Sequence, residues 1–184
     1  MKRLLLPLLL SPALACAAPA RDTGVLARAA PAAPGGTPAK ALAPQGLEYF
    51  IGSWRADAVD PGTGETLTLS YRVEPTPGGS WVAGFAESGD GAIQSRDMWG
   101  RDPLTGGILR VIFNGNGAFA TVRSPGWVGD TLVLEGESSA EGRTLRLRET
   151  ITRVGPDAFR AVWEALRDGT WKAYSDERVT RQRT

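Results

Sequence analysis

Between Thr66 and Val73 apolar and polar residues alternate: Leu67, Leu69, Tyr71 and Val73 fall on one face, Thr66, Thr68, Ser70 and Arg72 on the other. A period of two marks a β-strand with one buried face. The pattern returns further on, where Leu145, Leu147 and Ile151 oppose Thr144, Arg146, Arg148, Thr150 and Thr152. Unbroken alternation also places Trp81, Ala83 and Phe85 on one face, and Trp171, Ala173 and Val179 on another. Residues 108–113 are apolar on both faces except at Arg110. Only Leu47 to Ile51 reads as a helical turn, ended by Gly52.

Turn signals separate these segments at short intervals, among them Asp60-Pro61-Gly62, Pro77-Gly78-Gly79, Asp102-Pro103, Asn114-Gly115, Glu141-Gly142 and Asp168-Gly169. Regular spacing of this kind predicts an all-β sandwich or barrel. The connections permit only antiparallel neighbours, because a parallel crossover needs about a dozen residues or more. An antiparallel up-and-down meander of about 8–10 strands most simply closes on itself, which removes exposed edges. The predicted domain runs over 47–184.

The first residues follow another logic. Met1-Lys2-Arg3 is basic, and Leu4 to Leu14 is apolar apart from Ser11 and two prolines, which reads as a signal peptide over 1–15. The stretch is shorter than the roughly 20 apolar residues of a membrane span. Two processing routes are open. Ala13-Leu14-Ala15-Cys16 resembles a bacterial lipobox, after which Cys16 becomes the acylated first residue; cleavage after Ala15 or Ala17 is ordinary secretion. Ordinary cleavage after Ala15 leaves one unpaired thiol in an oxidising compartment, whereas lipidation accounts for the single Cys and its position. Both routes predict export, to the periplasm or to a lipid anchor on a bacterial cell envelope. From 17 to 46, 20 of 30 positions are Ala, Pro or Gly. That composition offers no periodic apolar face, so 16–46 is predicted to be a disordered tether.

Composition narrows the chemistry. The 184-residue chain has no His, which removes His general bases, Ser-His-Asp and Cys-His nucleophile systems and the common zinc sites. With one Cys there is no internal disulfide and no thiolate cluster. Lys+Arg of 21 against Asp+Glu of 20 lacks the basic excess of a nucleic-acid binder. No catalytic motif is present, and the reading is of a non-enzyme with no cofactor. The expected contacts are a small hydrophobic ligand and the membrane through the lipid anchor only; the oligomeric state is not legible.

Several short motifs stand in a suggestive order. Leu47 to Phe50 leads into Gly52-Ser53-Trp54; Met98-Trp99-Gly100-Arg101-Asp102-Pro103-Leu104-Thr105-Gly106 follows; Asp168-Gly169-Thr170-Trp171 and Val179-Thr180-Arg181 close the chain. Together they resemble bacterial lipocalin-like (calycin-like) domains, nearest the family of unknown function numbered 1579. The resemblance covers about 47–181 and implies a β-barrel with an interior cavity. It also implies that Trp54 closes one barrel end beneath an Arg of the last strand, with Arg181 the better candidate and Arg178 the alternative. Related nitrobindin-type barrels hold haem through a His, which this chain lacks, so haem is not carried over.

All six Trp lie in the domain. They read either as core and end-plug packing or as an aromatic pocket for a lipid or small apolar molecule. The candidate lining is Tyr71, Trp81, Phe85, Trp99, Phe113, Trp163 and Trp171, with Phe119 in the wider pool. Glu149 and Glu177 share strand faces with apolar residues, as Glu87 does on a third strand, and buried acids mark either pockets or structural ion pairs. The expected function is an exported, lipid-anchored barrel that binds a small apolar or amphipathic molecule. The alternatives are a structural or protein-interaction barrel with a filled core and a carboxylate-dependent enzyme.

Overall fold

A computed structural model describes residues 46–183. The expected signal peptide, Cys16 and almost all of the expected tether lie outside the described residues. A single 3-10 turn, Leu47–Phe50, opens the domain. It is followed by β1 (Gly52–Val59), β2 (Thr66–Pro75), β3 (Trp81–Ser88), β4 (Gln94–Arg101), β5 (Ile108–Asn114) and β6 (Phe119–Ser124). Then come β7 (Trp127–Val128), β8 (Thr131–Ala140), β9 (Arg143–Gly155), β10 (Ala158–Arg167) and β11 (Thr170–Arg181).

From β1 to β6 and from β7 to β11 each strand pairs antiparallel with the next in a meander. Closure comes from two further ladders. β1 pairs β11 from Trp54↔Arg181 to Val59↔Asp176, and β6 pairs β8 from Phe119↔Ser139 to Arg123↔Glu135. The two-residue β7 pairs only β8, so ten strands form the barrel, as the turn spacing predicts. The motif between β4 and β5 makes its turn through Asp102, whose carboxylate accepts from Leu104 N, Thr105 Oγ1 and Arg123 Nε. Gly106 there takes φ +76°, a left-handed conformation that a side chain strains.

The interior is built in two halves. In one, Leu47, Phe50, Trp54, Val73, Val82, Trp99, Ile108, Val122, Leu132, Leu134, Ile151, Phe159 and Val179 form a dense core under the 3-10 turn. Phe50 stands 4.9 Å from Trp99 and 5.4 Å from Phe159, centroid to centroid, and Trp54 Nε1 donates to Phe50 O at 2.6 Å. Arg181 lies over the Trp54 ring at 4.0 Å and donates to the Ile51 and Tyr49 carbonyls, fastening the turn to the last strand. Arg178 lies on the exposed face. In the other half Ile112, Ala120, Leu147 and Ala165 pack with Trp163 and Tyr174.

Three of the expected facings are corrected. On β3 the inward residues are Val82, Gly84, Ala86 and Ser88, so Trp81, Ala83, Phe85 and Glu87 point outward. Trp81 covers the outer side of Gly100, where a Cβ would collide with the indole. Phe85 lies between the guanidinium groups of Arg72 and Arg96 at 5.0 and 5.1 Å, cation–π contacts that cover an aromatic on the solvent side. On β5 Ile108, Arg110 and Ile112 point inward, which leaves Phe113 outside and 54% exposed, opposite Phe119. On β11 the alternation breaks: β10 pairs Trp163↔Ser175 and then Glu164↔Ala173, so Tyr174 is an extra residue. Such a bulge reverses the parity beyond it. Val179 is inward, but Trp171 and Ala173 are outward, with Trp171 beneath the guanidinium of Arg148 at 4.6 Å.

Candidate functional site

Arg110 is the one charged residue of β5, which is otherwise apolar from Ile108 to Phe113, and it points into the barrel at 8% exposure. A guanidinium there must be paired and hydrogen-bonded or it will not be tolerated. Two carboxylates meet this need. Arg110 Nε and Nη2 donate to Asp97 Oδ2 at 2.8 and 2.5 Å, and Nη1 donates to Glu149 Oε2 at 2.5 Å. Both acids are 3% exposed. β4, β5 and β9 thereby contribute one charge each to a layer across the lumen. Trp99 forms its floor, with the Arg110 guanidinium 3.9 Å from the ring centroid.

Small residues make room for the layer. A Cβ at Gly84 would collide with the Asp97 carboxylate and lie 2.6 Å from the Tyr71 hydroxyl. That hydroxyl donates to Asp97 Oδ2 at 3.1 Å. Trp163 faces the layer from β10, opposite both Glu149 and Ser175, with Arg110 5.5 Å from its ring. Glu177 is on the same side, and its Oε1 accepts from Ser175 Oγ at 3.1 Å.

The electrostatics follow from burial and count. One guanidinium faces three carboxylates. Burial works against the charge of Arg110, but Glu149 and Asp97 outweigh it and hold the group protonated. Burial pushes Glu149 above the ordinary carboxylate range, and Arg110 limits that rise. Glu177 has no such cation against it: burial first, then the charge of Glu149, pushes it up to about 7. Burial raises the Tyr71 and Tyr174 hydroxyls as well, so both remain donors at neutral pH.

Above the layer the barrel is not sealed. Tyr71, Ala86, Ser95, Trp163, Tyr174, Ser175 and Glu177 are inward or lumen-packed, yet each keeps part of its surface open to solvent. A ten-strand barrel is wider than the eight-strand size that side chains just fill. The inward residues toward that end include the small Ala86, Ser95, Ala120, Gly136, Ser138 and Ala165. Two further concavities lie on the outer surface. One of about 480 Å³ runs along Arg101, Thr105, Arg123 and Pro125, and one of about 390 Å³ along Tyr49, Asp130, Arg153 and Pro156. Among the described residues no group of His, Cys, Asp and Glu is arranged to hold a metal ion.

Of the expected lining, the lumen brings together Tyr71, Trp99, Glu149, Trp163 and Glu177, while Trp81, Phe85, Phe113 and Trp171 stand outside it. Trp54 and Arg181 belong to the closed end. Sequence reasoning missed Asp97, Gly84, Tyr174 and the central role of Arg110. The signal for Arg110 is plain in retrospect, a lone charge inside an apolar run. Asp97 sits one alternation step from Trp99 on β4 and carries the same parity. Tyr174 belongs to a bulge, which alternation alone does not reveal.

No family model matches the chain, and no curated protein matches it. Among solved structures the chain is similar to the crystal structure of Rv2717c from M. tuberculosis, at 15% identity over 76% of this chain and 96% of that one, with a TM-score of 0.51. A redesigned β barrel aligns at 13% identity over 76% of this chain and 96% of its own, with a TM-score of 0.38. At these identities the likeness concerns the fold alone. The class that the chain's own ladders define is a closed antiparallel β-barrel of ten strands.

Proposed function

We propose that this protein is an exported, lipid-anchored β-barrel of the cell envelope, in the lipocalin-like group nearest the family numbered 1579, that binds a small amphipathic molecule in the open half of its lumen. The observation that carries the reading is the asymmetry of the interior. One half is solid aromatic core, while the other presents inward aromatic and polar groups that water still reaches. Binding sites of small molecules combine such apolar walls with a few fixed polar groups. Trp163 and the Leu147 cluster supply the wall, and the Arg110 layer supplies the polar floor. The reading is of binding rather than catalysis, since Asp97 and Glu149 each accept from the Arg110 guanidinium, which holds both in place.

Native mass spectrometry of the protein purified from its own host tests the binding. The expected result is a non-covalent adduct that disappears on denaturation; a bare mass combined with no saturable uptake of an apolar fluorescent probe contradicts it. The anchor has a separate test. Cys16→Ser should release the protein from the membrane fraction, and equal solubility of wild type and variant would indicate ordinary secretion.

A further inference from the structure

The floor of the open half holds more negative than positive charge, and its unmatched acceptors lie together. Glu149, Trp163 and Ser175 are cross-strand neighbours on β9, β10 and β11. Glu177 is two residues along β11 from Ser175 on the same side, and the bulge turns Tyr174 in to pack against the cluster of Ile112, Ala120, Leu147 and Ala165. Within this group Glu149 accepts from Arg110 through Oε2 only. Among the described residues Glu177 accepts only from the neutral Ser175 hydroxyl, and the Tyr174 hydroxyl makes no hydrogen bond. Arg110 does not supply the missing donors, because its Nε and Nη2 are spent on Asp97.

Two carboxylates with spare acceptor capacity, an unpartnered phenol oxygen and an indole face are the chemistry that recognises an organic ammonium group. The carboxylates and phenol oxygen accept its N–H bonds, and the Trp163 ring attracts its charge. An anionic head would meet the surplus negative charge instead. We propose that the molecule held in the open half carries a primary amine, received by Glu177, the free oxygen of Glu149 and the Tyr174 hydroxyl. This rests on the ligand-binding reading above and adds the identity of the head group.

The charged and titratable groups that face the site are Asp97, Arg110, Glu149, Glu177, Tyr71 and Tyr174, with Lys172 and Arg167 at the rim. Burial leaves Glu177 partly protonated near neutral pH, and an ammonium beside it draws that proton off.

Calorimetric titration of the full chain with octylamine, octanol and octanoate at pH 7.5 separates the possibilities. Octylamine should bind at least roughly tenfold more tightly than octanol, with octanoate weakest. Glu177→Gln should bring the ratio of octylamine to octanol affinity down to about one, with circular dichroism confirming the fold; Tyr174→Phe should lower that ratio less. Octanol binding as tightly as octylamine, or octanoate binding best, overturns the amine assignment and leaves the ligand-binding reading standing. Equal loss of octylamine and octanol binding in Glu177→Gln also overturns it, because that is a packing effect. Failure of all three probes to bind overturns both readings.

Discussion

Arg110 and Glu149, 39 residues apart in sequence, meet across the lumen with Nη1 donating to Oε2 at 2.5 Å. This contact ties β5 to β9 through the middle of the barrel rather than around its wall. Both groups are almost wholly buried, so their attraction is little screened by salt, and each depends on the other to make its burial tolerable.

Removing the cation alone should therefore be severe. Arg110→Met leaves Asp97 and Glu149 buried without a cation between them, and the expected loss is about 3–5 kcal/mol in urea unfolding. Combining it with Asp97→Asn and Glu149→Gln removes the unpaired charges and should recover much of that loss. A single variant as stable as wild type would show that the layer contributes nothing to the fold.

Gly84→Ala should destabilise by about 1–3 kcal/mol, because the new methyl group collides with the Asp97 carboxylate and crowds the Tyr71 hydroxyl. Ala83→Ser, one residue away on the outer face, should change stability little. Comparable losses at the two positions would contradict the assigned facing of β3.

The alternation of β2 and most of β9 was legible in the sequence, as were the antiparallel order and the closure, because a period of two and close turn signals specify them directly. The facing of β3 and β5 was not, since both sides of those strands are apolar and only the volume inside the barrel decides between them. Gly84 and Ala86 go inward because Asp97 and Tyr71 need the space, while Phe85 goes outward because Arg72 and Arg96 cover it. Trp171 was misplaced for a different reason. One inserted residue, Tyr174, reverses the parity, and nothing in local composition marks it. Half of the site was therefore visible as inward Glu149, Glu177 and Tyr71, and the remainder depended on contacts between strands far apart in sequence.

Arg181→Ala should loosen the closed end. It removes the stacking on Trp54 at 4.0 Å and the donors to the Ile51 and Tyr49 carbonyls. The expected cost is about 2–4 kcal/mol, from charge-assisted hydrogen bonds of about 1.5–3 kcal/mol and a cation–π contact of about 0.5–2 kcal/mol that overlap in one side chain. Trp fluorescence should shift toward that of a solvated indole. An unchanged emission maximum and stability would show that the 3-10 turn holds without this residue.

The pH dependence has a definite sign. Glu177 is raised from 4.5 to about 7 and Glu149 is raised as well, so the folded protein binds more protons than the unfolded chain between those values. The contribution of Glu177 to stability is fully present below about pH 4.5 and is lost as pH rises through about 7, and that of Glu149 has the same sign. Asp57, Asp90, Asp102 and Asp176 are lowered and act oppositely, but only at pH below their ordinary range. Urea midpoints should fall from pH 5 to pH 8 in wild type and fall less in Glu177→Gln. Identical slopes in the two proteins would remove Glu177 as their source.

A binding space in the open half of the lumen can be probed from one strand, which offers a direct comparison. Ala86 points into the lumen from β3 between Tyr71 and Ser95, while Ala83 on the same strand points out. Titration of an apolar fluorescent probe into wild type, Ala86→Phe and Ala83→Phe is the most direct test. Saturable binding to wild type and Ala83→Phe, with loss in Ala86→Phe at preserved fold, is the predicted result. Absence of saturable binding to wild type, or equal binding to all three proteins, would contradict it.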